Sequence, residues 1–152
     1  MTLIRISRRE ALVGSLAALA APAFPMPALA APMLTFDDLY GSVGVLGLTF
    51  SDKVKGLAGQ TVTMRGFMAP PLKAEAAFFV LTEIPMSICP FCSSDSDWPD
   101  NIVVVYLDAK QTFVQPNTVI EVGGTLEYGS WTDPETGFVS LLRLRGARFS
   151  AV

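Results

Sequence analysis

The stretch TVIEVGGTLEYG, residues 118 to 129, decides the fold that the sequence predicts. Apolar side chains recur at most second positions from Ile120 to Tyr128, with polar or small residues between them. This period is typical of a β-strand with one buried face. Gly123 and Gly124 lie in the middle of the strand. A glycine pair at that place indicates a bulge or a sharp coil, which the closing of a small barrel requires.

Four further segments have the composition of strands. Residues 60–68 alternate between apolar and polar side chains, whereas residues 76–82 and 102–107 are almost entirely apolar. Residues 76–82 are expected to be buried on both faces, and residues 102–107 are predicted to be a strand because they are rich in β-branched residues. Residues 137–150 form the last strand, after a hairpin connection in which Gly137 takes the left-handed position.

Five strands, short turns and little helix predict an all-β fold, a small five-stranded barrel of the OB kind, because closure removes exposed strand edges. An open β-sandwich is the alternative. The barrel domain is assigned to residues 59–152. Residues 31–58 before it are read as a short helix capped by Thr35, an irregular glycine-rich connector and a second helix over residues 52–57.

The spacing of large side chains also predicts which of them are buried. We expect these apolar residues to be in the core, because they fall at strand spacing: Met64, Phe67, Met68, Phe78 and Phe79. We expect the three arginines of the last strand to be solvated: Arg143, Arg145 and Arg148.

Residues 1–30 are typical of an export signal. A basic head precedes an apolar run that is too short for a permanent membrane anchor, and a small-x-small cleavage pattern ends at Ala30. Ser7, Arg8, Arg9 and Leu12 resemble the twin-arginine signal. The expected product is a soluble periplasmic protein, and a general secretory signal is the alternative.

The net charge of the chain and its lack of histidine each exclude several classes of function. The chain has a net charge of −3, and without residues 1–30 it keeps eight basic and 13 acidic side chains, a net charge of −5. Such a domain is a poor partner for nucleic acid or anionic lipid. The chain has no histidine, so a Ser-His-Asp triad, a histidine base or a histidine-ligated zinc enzyme is excluded.

The two cysteines stand in MSICPFCSSDSDWPD, residues 86–100, here called the cysteine loop. Thiolates spaced C-x-x-C can bind one soft cation, copper(I) or zinc, from a single turn. Cys89 and Cys92 are the proposed ligands. Met86, Asp95 and Asp97 are further candidates, although a water or a second chain, as in a homodimer, could instead complete a zinc site.

Two other interpretations of the cysteine pair stay open. In an oxidising compartment the pair would form a disulfide that fixes the shape of the loop. Alternatively, Cys89 and Cys92 would be the catalytic pair of a thiol-disulfide exchanger. Pro99 prevents a long helix after Cys92, and nearby carboxylates disfavour a thiolate, so the sequence favours a protein that is not an enzyme.

Both tryptophans are assigned to loops. Trp98 and Trp131 are candidates for contact with a partner or ligand, since large aromatic side chains in loops often mark such contacts. The alternative is that each covers the mouth of the barrel. A glycan-binding OB domain remains open through the same two residues.

The order of features from residue 57 to residue 107 resembles an uncharacterised family of exported bacterial OB-like proteins. LAGQTVTMRGFMAPP, AAFFVLT, the cysteine loop and IVVVYL follow one another, and the G-F-x-x-P pattern spans Gly66 to Pro70. Better-known members carry Cys-x-His and a run of prolines in the loop, where this chain has a second cysteine. The resemblance implies an accessory factor for envelope transport. The predicted function is therefore a periplasmic accessory or binding protein that holds a soft metal ion or docks on a transport or assembly complex.

Overall fold

The computed structural model describes residues 30–44, 47–70, 77–86 and 98–152. Nearly all of the predicted signal lies outside these ranges, and no helix within them is long and apolar enough to cross a membrane. The elements follow in this order: a 3-10 helix at Phe36–Asp38, β1 Tyr40–Gly44, β2 Gly47–Phe50, α1 Asp52–Leu57, β3 Thr61–Met68, β4 Phe78–Thr82, β5 Ile102–Leu107, β6 Val119–Thr132 and β7 Val139–Ala151.

Strands β3 to β7 form a closed barrel in the order β3-β4-β5-β7-β6. The first three are consecutive antiparallel neighbours, and β7 pairs with β6 on one side and runs parallel to β5 on the other. β6 closes the barrel by pairing with β3. This is the five-stranded Greek-key connectivity of an OB barrel, so the predicted fold class is confirmed and the open sandwich is not adopted.

The core lies inside the barrel. In β3 every second side chain is buried, as its alternating sequence predicts, while β4 is buried at all five positions. β5 is buried at every position except Leu107. Met64, Met68 and Phe79 are in the core as expected, whereas Phe67 is only half-buried.

The glycine pair of β6 makes a bulge, as predicted. The register between β6 and β7 shifts between Gly123 and Thr125. A Cβ atom on Gly124 would lie 3.0 Å from the Cβ atom of Ala147 and 3.1 Å from the carbonyl oxygen of Arg145. The two strands thus approach each other closely at the bulge, where only glycine fits without displacing a neighbour.

The glycine-rich segment before the barrel is not the irregular connector that we predicted. β1 and β2 form an antiparallel hairpin in which the register shifts beside Gly41 and Gly47 has a φ of 101°. Glycine therefore marks a bulge and a turn here, rather than the absence of strand structure. The ring of Phe50 lies 5.7 Å from that of Tyr40 and 5.0 Å from that of Tyr128.

The N-terminal segment is attached to the barrel. The backbone N–H of Leu34 donates to Thr63, and that of Thr63 donates to Pro32, at 2.9 and 3.0 Å. The side chains of Leu34, Leu39 and Val54 are completely buried in the same apolar cluster as the barrel interior. This segment and the barrel share one core.

Strand β6 extends three residues past the predicted end at Gly129. Gly129 has a φ of 103°, and the register shifts between Tyr128 and Trp131, so the strand passes an irregularity and continues to Thr132. Trp131 consequently lies in a strand and not in a loop. The hairpin connection follows from Asp133, and Gly137 is left-handed as expected, with a φ of 73°.

Arg143 is not solvated, contrary to the prediction. It is only 7% exposed, whereas the side chain of Arg148 is 75% exposed and that of Arg145 is 34% exposed. The buried guanidinium of Arg143 is possible because its charge is paired with Glu127 at 2.7 Å and a carbonyl oxygen accepts from its Nη1 atom.

Candidate functional site

The cysteine loop begins and ends on a well-defined base. Thr82, the last residue of β4, pairs with Ile102, the first residue of β5. Just beyond this pair, the N–H of Glu83 donates to the carbonyl of Asn101 at 3.2 Å. The hydroxyl of Thr82 lies 2.7 Å from the carbonyl oxygen of Ile84. These contacts hold both ends of the loop at one edge of the barrel.

Four of the five candidate metal ligands lie outside the described residues, namely Cys89, Cys92, Asp95 and Asp97. The fifth, Met86, is half-buried just before that gap. In the described part of the chain there is no group of three cysteine, histidine or acidic side chains arranged to hold a metal ion.

Trp98 closes the far end of the loop. It is 7% exposed, and its indole N–H donates to the hydroxyl oxygen of Tyr40 at 2.8 Å. Burial raises the pKa of Tyr40, and the charge of Asp100 raises it further, so the phenol stays neutral. Trp98 therefore packs within its own chain and ties the end of the loop to β1.

A cavity of about 210 Å³ lies between the 3-10 helix and the base of the loop. The described residues that line it include three carboxylates and no basic side chain; they are Phe36, Asp37, Tyr40, Glu83, Asp100 and Asn101. The acidic groups stand beside both ends of the cysteine loop. Their field attracts cations to this edge of the barrel.

Trp131 belongs to a second site on the outer surface of the barrel. Its ring meets that of Tyr106 edge to face, with centres 5.4 Å apart. The guanidinium carbon of Arg145 lies 4.1 Å from the centre of the Trp131 ring and 4.6 Å from that of Tyr106, and that of Arg143 lies 5.4 Å from Trp131. We call these four residues the arginine face.

One carboxylate holds both arginines. An oxygen of Glu127 lies 2.7 Å from Nε of Arg143 and 3.4 Å from Nε of Arg145. Partial burial alone would raise the pKa of Glu127, but the two guanidinium groups lower it further than burial raises it, so the carboxyl is ionised. The Nη1 atom of Arg143 also donates to the carbonyl of Gly129 at 2.8 Å.

Of the arginine face, sequence reasoning named only Trp131 as a contact residue, and it expected Arg143 and Arg145 in solvent rather than beside that ring. Arg143 and Arg145 are two residues apart in a strand, which places them on the same side, and this is a signal that could have been used. Their partners lie on β5 and β6, and the register that brings Tyr106, Glu127 and Trp131 opposite them cannot be read from one sequence.

Comparison with known proteins gives the fold. No protein-family model matches the chain, and no curated protein matches it either. A solved structure that does match is the crystal structure of a DUF3299 family protein from Pseudomonas aeruginosa PAO1, with a TM-score of 0.54 over 81% of this chain and 97% of that chain. The two are 13% identical in sequence. This chain is thus similar in fold to that DUF3299 family protein.

Proposed function

We propose that the chain is an exported periplasmic accessory protein whose cysteine loop binds one soft metal ion, copper(I) or zinc. Cys89 and Cys92 supply the thiolates, and Met86 is the candidate thioether ligand. Two thiolates satisfy copper(I), which accepts low coordination numbers, whereas zinc needs further ligands from Asp95, Asp97, a water or a second chain. The loaded or empty loop would be the surface presented to an envelope transport or assembly complex.

The observation that carries the proposal is the anchored base of the loop. Glu83 pairs with Asn101 at the edge of the barrel, and Trp98 is buried against Tyr40 of β1, so both ends of the loop are held by contacts with the folded domain. A loop whose two ends are held in this way loses less conformational entropy when it binds a ligand.

The charge of the site favours a cation over thiol chemistry. Asp37, Glu83 and Asp100 line the cavity at the base of the loop, and this negative charge attracts cations to that edge of the barrel. A nucleophilic thiolate needs the opposite surroundings, a helix N-terminus or basic side chains. A metal ion, in contrast, replaces the thiol protons directly and is attracted by the same carboxylates.

Titration of the reduced protein with copper(I) under anaerobic conditions, against a competing chelator, tests the proposal, with a parallel zinc titration. We expect one ion per chain, with two protons released, and no stoichiometric uptake by Cys89→Ser or Cys92→Ser. Met86→Leu should weaken copper(I) binding about tenfold. Met33→Leu is the control, because Met33 is 47% exposed and lies in the N-terminal segment, well before the cysteine loop, and it should not change the affinity.

Failure of both metals to bind the reduced protein would overturn the metal proposal and leave the two other interpretations of the pair. The reduction potential of Cys89 and Cys92 then separates them. A value near that of strongly oxidising periplasmic enzymes, about −120 mV, indicates thiol exchange, and one below about −300 mV indicates a structural disulfide.

A further inference from the structure

The arginine face has one guanidinium that uses only part of its hydrogen-bonding capacity with the described residues. Arg143 is committed to Glu127 and to the carbonyl of Gly129 and is only 7% exposed. Arg145 reaches Glu127 only through Nε, at 3.4 Å. No described residue accepts a hydrogen bond from its two terminal nitrogens, and about a third of the side chain is exposed. With respect to the described residues, two parallel N–H groups are therefore available to an acceptor.

Aromatic rings hold this guanidinium in place. The rings of Trp131 and Tyr106 lie 4.1 and 4.6 Å from its central carbon, and they meet each other edge to face. Stacked guanidinium groups keep their N–H donors in the plane of the group, at its edge, where they can bind a planar carboxylate with two hydrogen bonds. The site is thus ordered before any ligand arrives.

The face also contains a buried hydroxyl whose hydrogen-bonding is incomplete. The hydroxyl of Tyr106, a residue 9% exposed, meets hydrogen-bond geometry with no described residue, and the nearby carboxylate of Asp133 is a poorly aligned acceptor. Burial raises the pKa of Tyr106, and the charge of Asp133 adds to the effect, so the group remains a neutral donor. Buried polar groups usually have a partner, and the exceptions require an explanation.

The loop beside the face is rigid as well. The carboxylate of Asp133 accepts hydrogen bonds from the N–H groups of Glu135 and Thr136 at 2.8 and 3.1 Å. The rings of Phe138 and Phe78 lie 5.3 Å apart, which packs the hairpin against β4. A ligand that binds here does not have to order the surface first.

The charges favour a ligand with a single negative charge. Glu127 pairs closely with Arg143, at 2.7 Å, and only loosely with Arg145, at 3.4 Å, so the guanidinium of Arg145 lacks a close carboxylate partner of its own among the described residues. A ligand carboxylate would supply that partner. A phosphate dianion would bring two negative charges instead of one to a face where the charge of Asp133 already acts on Tyr106.

We propose that the arginine face binds a carboxylate side chain in an acidic peptide segment of a partner protein. Arg145 holds the carboxylate with the N–H groups of its terminal nitrogens, and the partly exposed ring of Trp131 contacts the neighbouring apolar side chains of the peptide, while the buried ring of Tyr106 supports the guanidinium from below. The face lies on the outside of the strands and consists of tryptophan, tyrosine and arginine, the residue types that dominate the binding energy of protein interfaces.

Isothermal titration calorimetry at low salt tests the proposal, with two peptides, GSLELGS and GSLQLGS, whose ends are acetylated and amidated so that they carry no charge. They differ only in the carboxylate, and we expect the glutamate peptide to bind at least tenfold more tightly. Arg145→Gln should remove that difference. Arg145→Lys, which keeps the charge and loses the paired N–H groups, should remove most of it, and serves as the test if Arg145→Gln does not fold.

Arg148→Gln is the matched control. Its side chain is 75% exposed and pairs with Asp108 at 2.9 Å, also on β7 but away from the aromatic rings, so the preference for glutamate should persist. Equal binding of the two peptides would overturn the proposal, as would an equal loss in Arg148→Gln. Competition by acetate or phosphate at the concentration of the peptide would show a small anion as the ligand and overturn the peptide assignment.

Discussion

At the scale of single residues, Gly66 is the position where the barrel leaves no room for a side chain. A Cβ atom there would lie 2.6 Å from the carbonyl oxygen of Thr82 and 3.1 Å from Cγ of Leu81. The first contact is with backbone, which cannot rotate away. The glycine allows β3 to pass close to the end of β4, which is also the base of the cysteine loop.

We therefore expect Gly66→Ala to destabilise the protein by about 2 kcal/mol, because the strands must move apart to admit the methyl group. Gly123→Ala is the control, since its nearest contact would be an ordinary 3.9 Å. That variant should be within about 1 kcal/mol of the wild type. Urea unfolding followed by circular dichroism measures both, and equal stabilities would contradict the packing argument.

At the scale of elements, Asp38 joins the 3-10 helix to α1. One of its oxygens accepts from Nζ of Lys53 at 2.7 Å and from the N–H and hydroxyl groups of Thr35 at 3.0 and 2.8 Å. The hydrogen bond from Lys53, with those from Thr35, lowers the pKa of Asp38 from 3.8 to about 2. The carbonyl of the same residue accepts from the hydroxyl of Ser51, which caps α1.

Because this pKa is lowered on folding, the ionised carboxylate stabilises the folded state. The stabilisation is complete above pH 4 or so and is lost as the pH falls towards 2. Both partners are partly exposed, so we expect a loss of about 1 kcal/mol. Unfolding measured from pH 5 to pH 2 should show this loss in the wild type and not in Asp38→Asn.

Asp52→Asn provides the comparison for that measurement. Asp52 also pairs with a lysine, Lys55, at 3.3 Å, but its side chain is fully exposed. The variant should keep the pH dependence of the wild type. If Asp38→Asn and Asp52→Asn changed the profile equally, the carboxylate of Asp38 would have no special role.

The bounds of the helices and strands could be predicted from the sequence only in part. Periodicity placed β3, β5 and α1 to within one residue, because each has a clear pattern and a clear stop signal. It failed for the β1–β2 hairpin, where Gly41 and Gly47 were read as breaks. It also ended β6 too early at Gly129. In both cases a glycine occupies a bulge or turn inside a paired strand, and pairing is a property of two strands that no local pattern contains.

At the scale of the whole molecule, the N-terminal segment and the barrel share a core. Leu39 is completely buried in the cluster that includes the barrel interior. Leu39→Ala should therefore destabilise the entire fold by about 2–5 kcal/mol. Met33→Ala, at a residue 47% exposed, should have little effect.

Tryptophan fluorescence and far-ultraviolet circular dichroism should report the same transition in Leu39→Ala, because Trp98 contacts β1 and Trp131 lies in β6. Two separated transitions would show that the segment unfolds independently of the barrel.

The cysteine loop could be predicted from the sequence and most of the arginine face could not, because only the first is a continuous segment of the chain. The cysteine loop is contiguous, so its residues could be named from the sequence. The arginine face is assembled from β5, β6 and β7, and only the fold brings Tyr106, Trp131 and Arg145 together. Arg143 was expected in solvent because its pairing with Glu127 depends on the register between β6 and β7, which one sequence does not reveal.

The parallel pairing of β5 with β7 has a consequence for how the chain is made. Val104 lies beside Arg143, so the barrel needs its last strand before its wall is complete. Until β7 has left the ribosomal exit channel, β5 and β6 each lack a neighbour. The barrel can therefore close only after this strand has emerged, and the apolar edges of β5 and β6 are unpaired before then.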